Sequence, residues 1–396
     1  MSAAAEPPRL PRRLPLGKRL AFWGVMLALV AGVAELLAFA FAWRLAGIDV
    51  VDLRPALARR ARAASAARRN PLYKELYDPD LGWVYRQGLN VYGDPRTYDY
   101  DDQGARACSR PFADTLVSTY GDSFTHGDGV AGHETWSYRL GEALGTNVLN
   151  FGVGGYGTDQ AVLRIEKNCQ AGLCTPVVAL GICSENINRT LGNVRAFYTN
   201  DGCVPCVTNG PKPMFRRTAA GWELLPIGRR ASLPNFLADV DNARRYDFWY
   251  RGVSFPYTLG LARLYLRGRP STDCGPHCVG RWDLEEARAL MIHLLRRFVA
   301  LSRQYGFHPV AVMIPCCGDF VRLEAKLDPG YRRLFPDVRA TPELATLPVV
   351  DVLGSSWRPE YRSYTLAHPG PDGHRLIAEA VLPTIAPLVE AARSRP

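Results

Sequence analysis

Beyond its first 70 residues the chain has almost no net charge. Residues 1–70 hold twelve Arg and Lys against four Asp and Glu, so of the formal +10 carried by 396 residues only +2 belongs to residues 71–396. A nearly neutral body lacks the basic face that a phosphate backbone requires, and nucleic acid is excluded as the expected partner. Residues 1–19 lack apolar periodicity: Arg9, Arg12, Arg13, Lys18 and Arg19 stand among prolines, the composition of a short disordered basic tail. Leu20 to Trp43 lacks charge in its turn, with Glu35 the single exception. No small-x-small site ends this run, and it is longer than the h-region of about 7–15 residues in a cleaved signal peptide, so removal by signal peptidase is not expected.

What that apolar run offers is length. At about 1.5 Å per residue residues 20–43 reach about 36 Å, against about 30 Å for a bilayer core, and the reading is one transmembrane helix with Trp43 at an interface. Arg44, Arg54, Arg59, Arg60 and Arg62 follow the run and balance the five positive charges before it, so the positive-inside rule does not choose an orientation. The short tail and the cysteine-rich body favour the N-terminus inside and the globular domain on the periplasmic or extracytoplasmic side. Glu35 within the span is costly unless paired or near an interface; it reads either as facing a partner helix or as simply tolerating its depth. Residues 44–70, rich in Ala and Arg from position 50, read as a juxtamembrane stalk able to lie on anionic headgroups.

The ten cysteines are Cys108, Cys169, Cys174, Cys183, Cys203, Cys206, Cys274, Cys278, Cys316 and Cys317. An even count in an exported body fits disulfides, whose connectivity spacing does not reveal. Cys203-x2-Cys206 with Cys274-x3-Cys278 also matches a zinc knuckle. A thioredoxin-like role is weaker, because Cys203-Val204-Pro205-Cys206 does not open a helix after a strand.

Residues 71–396 read as one α/β domain. Apolar runs at 116–120, 146–151, 175–182, 309–314 and 347–352 alternate with amphipathic stretches at 134–144, from 161, at 283–306 and at 372–391, which indicates a parallel, doubly wound sheet with helices on both faces. Asp283 and Glu286 have the spacing of a capping box opening the third of these helices, and Gly306 ends it. Residues 189–282 break the alternation; they read as an insertion with a hairpin near 215–225, beside the edge where such sheets bind ligands.

At that carboxyl edge three polar loops collect. Gly121-Asp122-Ser123-Phe124 follows the first strand, Gly152 to Gln160 follows the second, and Cys183-Ser184-Glu185-Asn186 follows the third. His368-Pro369-Gly370 precedes the last helix. A serine on an early loop and a histidine on the last are the pair that nucleophilic acyl transfer uses, provided fixed donors meet the oxyanion. The Ser123 amide, the Gly155 amide and the Asn186 side chain are the donors available. His374 competes with His368 as base; His126 and His133 are loop-shaping or substrate-contacting candidates, and Asp122 and Asp128 are candidates for bonding loop amides.

These blocks, in this order, resemble those of the SGNH (GDSL) hydrolase family: Gly121-Asp122-Ser123-Phe124, Asn150-Phe151-Gly152-x-x-Gly155, Gly181 to Asn186, and His368-Pro369 followed by Gly373 and Ile377-Ala378. The likeness runs from about residue 116 to 390, interrupted by the insertion, to a membrane-anchored, bacterial-type member. It implies a flavodoxin-like sheet, Ser123 as nucleophile, His368 as base, and Ser123, Gly155 and Asn186 as the oxyanion hole. No cofactor or metal is implied. Two positions depart from the family pattern: Glu185-Asn186 stands where Asn-Asp is usual, and Thr365 where an Asp is usual three residues before the histidine. A backbone carbonyl or a distant carboxylate such as Asp351 would then orient the ring.

The reading is therefore a membrane-anchored serine esterase acting on O-acyl groups of a cell-envelope glycan or lipid, the glycan by resemblance. An O-acyltransferase with the same Ser-His chemistry is an alternative, because water and a sugar hydroxyl are interchangeable acceptors. A non-catalytic glycan-binding or scaffold protein on the same fold is another, favoured by Thr365 and Glu185. Nothing in the sequence points to a protein partner.

Overall fold

The computed structural model describes residues 15–45, 48, 50, 76–88, 99–109, 111–192, 212–227, 253–266, 282–354 and 368–394. Most of the expected tail and stalk, Thr365, and Cys203, Cys206, Cys274 and Cys278 lie outside them. The described residues fall into two compact units, one within 1–57 and 251–269, the other within 58–250 and 270–396.

The first unit is built on a helix, Leu16–Ala40, continued by a π-helical turn, Phe41–Leu45. Its side chains Leu20, Val25, Leu29, Val33 and Leu37 are exposed, and it is long and apolar enough to cross a membrane. Residues 253–266, read from the sequence as part of the insertion, belong to this unit, where a short helix, Tyr257–Leu266, packs beside it.

Among the described residues, the second unit holds nine strands. A small antiparallel pair, β1 (Tyr77–Asp78) and β2 (Gly82–Trp83), comes first. β3 (Thr115–Tyr120), β4 (Asn147–Asn150) and β5 (Val177–Cys183) follow. The hairpin β6 (Met214–Thr218) and β7 (Gly221–Leu225) lies within the insertion. β8 (His308–Ile314) and β9 (Val349–Asp351) complete the set. The main sheet runs in the order β4-β3-β5-β8-β9, parallel throughout.

β5, at the centre, is buried at every residue, and its run Val-Val-Ala-Leu-Gly-Ile-Cys is what a strand covered on both faces needs. The chain steps one way from β3 to β4 and the other way from β4 to β5, so right-handed crossovers put the intervening helices on opposite faces. Trp136–Leu144 accordingly packs with the last helix, Pro371–Arg393, and Thr158–Gln170 packs with the helix Glu285–Tyr305. The reversal of strand order beside β3 is the switch point at which sheets of this order bind ligands.

Local starts differ from the sequence reading. The helix expected to open on an Asp283–Glu286 capping box begins at Glu285 behind Leu284, with no side-chain cap. Arg288 is the reason: its guanidinium takes the carbonyls of Trp282 and Asp283, and Trp282 is itself pinned to the Ser184 carbonyl, which fixes the turn two residues later. The helix expected from residue 161 begins at Thr158, because Gln160 turns back to accept from the Gly157 amide and Thr190 accepts from the Thr158 amide.

Candidate active site

Ser123 opens a single helical turn, Ser123–His126, at the carboxyl end of β3. Asp122 caps that turn by accepting from the Phe124 amide at 3.0 Å. Behind it, Arg106 is buried and donates to the carbonyls of His126, Gly127 and Val130 at 2.6, 2.7 and 2.6 Å, so one guanidinium gathers the loop that leaves the serine. Asn150 completes the seat by donating to the Thr125 carbonyl at 2.8 Å.

His368 Nε2 lies 2.9 Å from Ser123 Oγ, across 245 positions of sequence. Its ring centre is 5.4 Å from that of Phe124, which walls one side. His374, the competing histidine, is fully buried in the first turn of the last helix and accepts from the Trp136 amide through Nδ1 at 3.2 Å. Burial, chiefly, with help from Arg106 and His368, pushes its pKa down to about 3, so it is neutral and its work is packing. His126 is buried too, between Asp128 at Nδ1 (2.5 Å) and the Tyr100 hydroxyl at Nε2 (2.9 Å), and shapes the loop; His133 is exposed. Asp351 has other partners: the Tyr331 hydroxyl, the Leu353 amide and Arg332 occupy its two oxygens.

Asn186 begins the helix Asn186–Thr190 just past β5 and is buried. Its side-chain oxygen accepts from Arg189 at 3.0 Å, which leaves the amide nitrogen as the end able to donate. The same Arg189 pairs with the buried Asp122 at 3.2 Å and with Glu185. Burial outweighs Arg189 at Asp122 and pushes that carboxyl up to about 6, with Glu185 adding to the rise. Sequence reading overlooked Arg189, although its spacing of four from Glu185 and three from Asn186 on one helical turn is a pairing signal.

The loop after β4 carries Gly155 with φ +81°, a conformation that glycine adopts freely. Its neighbour Gly154 is clamped on both sides, its carbonyl by Trp83 Nε1 at 3.0 Å and its amide by the Tyr85 hydroxyl at 3.1 Å. Trp83 and Tyr85 come from the polar lead-in, where no sequence pattern singles them out. At Gly152 a Cβ would stand 2.2 Å from the His126 nitrogen: the second and first loops touch backbone to backbone there. A buried ion pair, Lys212 with Asp159, joins the insertion, just before its hairpin, to the start of the helix that follows this loop.

Cys169 and Cys174 form a disulfide. Cys316 belongs to a buried trio in which Ser184 donates to Asp319 and the Cys316 amide donates to Asp319 at 2.9 Å.

No family model matches the chain, and no curated protein matches it. Solved structures are similar to it over about two thirds of its length. A lipolytic protein of the G-D-S-L family from Veillonella parvula is 12% identical, with 68% of this chain and 97% of that chain covered and a TM-score of 0.33. TesA is 14% identical, with 69% and 99% covered and a TM-score of 0.35. The psychrotrophic esterase EstA from Pseudoalteromonas sp. is 12% identical, with 70% and 99% covered and a TM-score of 0.33.

Proposed function

We propose that the chain is a membrane-anchored serine ester hydrolase of the SGNH type, with Ser123 as nucleophile and His368 as general base. The observation that carries this reading is the 2.9 Å contact between His368 Nε2 and Ser123 Oγ at the switch point of the sheet. His368 takes the hydroxyl proton as Oγ attacks the ester carbonyl. The tetrahedral oxyanion is met by the Ser123 and Gly155 amides and by the Asn186 side-chain nitrogen, all fixed in advance of reaction. Collapse expels the alcohol, protonated by His368, and leaves an acyl group on Ser123. A second hydroxyl, activated by the same histidine, then removes it.

The acyl acceptor is water in a hydrolase and an alcohol in a transferase, and the two share every residue named. The substrate class we propose is an O-acylated glycan or lipid of the cell envelope. An extracytoplasmic body is supported by the Cys169–Cys174 disulfide, which belongs in an oxidising compartment, and a membrane anchor by the helix Leu16–Ala40.

The test is hydrolysis of p-nitrophenyl acetate by the full chain in detergent micelles. Ser123→Ala and His368→Ala should each lower kcat by at least about a thousandfold. Wild-type rates in Ser123→Ala would leave the scaffold reading in place of the enzyme. Adding a sugar alcohol separates the remaining two: faster p-nitrophenol release with formation of the acetylated sugar marks a transferase.

A further inference from the structure

We infer that the short helix Tyr257–Leu266, which lies within the insertion in sequence, is seated in the lipid bilayer beside the N-terminal helix, its outer face against acyl chains. The inference rests on the membrane-spanning reading of Leu16–Ala40 proposed above. Its starting point is Glu35, the one acidic residue of the apolar run. The Glu35 carboxylate accepts from the Tyr257 amide at 2.5 Å, from the Thr258 amide at 3.4 Å and from the Thr258 hydroxyl. A carboxylate at that depth requires donors from protein, since hydrocarbon supplies none. The positive end of a helix, with its unused amides, supplies them.

The short helix is also apolar on both sides. Tyr257, Gly260, Leu261 and Leu264, at helical spacing, turn inward; Tyr257, Leu261 and Leu264 pack with Phe39 and Ile48 around Ala42, Val50 and Val253. Gly260 lets the backbone close on Val253, whose Cβ would lie 3.0 Å from an added methyl. The other side presents Leu259, Tyr265 and Leu266, with Phe255 just before the helix, and Tyr265 and Leu266 are 86% and 83% exposed. Arg263 is the single charge among ten residues, on a stem long enough to reach a headgroup. Apolar surface left exposed is unfavourable in water and not in lipid.

Two features select lipid over a protein partner. The N-terminal helix beside it exposes Leu36, Leu37 and Phe41 in the same way, an apolar surface of the kind lipid covers. The polar contact at Glu35 is already satisfied within this chain, so no outside donor is called for. The insertion that leaves the sheet after β5 and returns before β8 thereby gives the chain a second hold on the membrane.

The experiment places photoreactive p-benzoylphenylalanine singly at Tyr265, Leu266, Leu27 and Glu223 of the full chain, reconstituted in phosphatidylcholine–phosphatidylglycerol vesicles. Irradiated products are weighed by mass spectrometry. Leu27 reports the N-terminal helix and Glu223 the exposed strand β7. The expected result is phospholipid adducts at Tyr265 and Leu266 comparable with Leu27 and at least about tenfold above Glu223. Adducts at Leu27 with none at Tyr265 and Leu266, or protein adducts in their place, overturn the inference and leave the membrane span standing. No adducts at Leu27 overturn the span itself, and the inference with it.

Discussion

At the scale of single residues, Arg189 has more to do than its place at the start of the insertion implies. It holds the oxygen of the Asn186 amide, neutralises Asp122 behind the serine, and pairs with Glu185. An unheld carboxamide presents either end to a developing oxyanion, and half of those orientations repel it. Arg189→Leu is therefore expected to lower kcat for p-nitrophenyl acetate by about tenfold to a hundredfold with KM little changed, the mark of an interaction made in the transition state. Arg189→Lys, which keeps the charge but not the fork, should recover less than half of that loss on a logarithmic scale. A change confined to KM would mean that Arg189 serves substrate binding instead. The same scale explains why Glu185 before Asn186, a departure from the family pattern, need not disable the site: its carboxylate is tied up by the guanidinium that orients Asn186.

Among the elements, the loops that follow β3 and β4 work as one because glycine removes the spacer between them. A methyl on Gly152 would meet the His126 nitrogen at 2.2 Å and the His126 Cα at 2.7 Å, both backbone and unable to swing away. Gly152→Ala should cost about 1–3 kcal/mol of stability, read as a lower midpoint in urea, and reduce esterase activity further than the stability loss accounts for, because the turn carrying Ser123 must shift. Full activity in this variant would mean that the contact relaxes without moving the serine. The clamp on Gly154 by Trp83 and Tyr85 acts on the other side of the same loop, and joins the small β1–β2 pair to a site it does not itself enter.

For the molecule as a whole, pH sets opposing demands on buried groups. His374 has its pKa pushed down from 6.5 to about 3 by burial, so below pH 6.5 the unfolded chain gains a proton that the folded chain refuses. Its contribution is intact above pH 6.5 and declines as pH falls toward 3, by at most about 1.4 kcal/mol per unit. Asp122 and Asp319, pushed up to about 6 by burial, run the other way, favouring the fold at low pH and losing that advantage as pH rises through 6. His374→Asn keeps an acceptor for the Trp136 amide and removes the titration, so the fall in urea midpoint between pH 7 and pH 4.5 should be smaller than in the wild type. An equal fall would assign the acid sensitivity to other groups.

Local chemistry determined much of this protein on its own. The strand and helix alternation of residues 116–391, the length of the apolar run and the order of the Gly-Asp-Ser, Asn-Phe-Gly and His-Pro blocks are all written in neighbouring residues, because periodicity and turn geometry act over a few positions. Helix starts escaped by two or three residues where side chains from elsewhere, such as Thr190 at Thr158, supplied the cap. Tertiary structure alone decided which groups meet across the chain: Glu35 with Tyr257 and Thr258, 222 and 223 positions on, Trp83 with Gly154, and Arg189 with Asp122. Such pairings depend on how every layer of the core packs, a sum over the whole sequence that no short stretch contains.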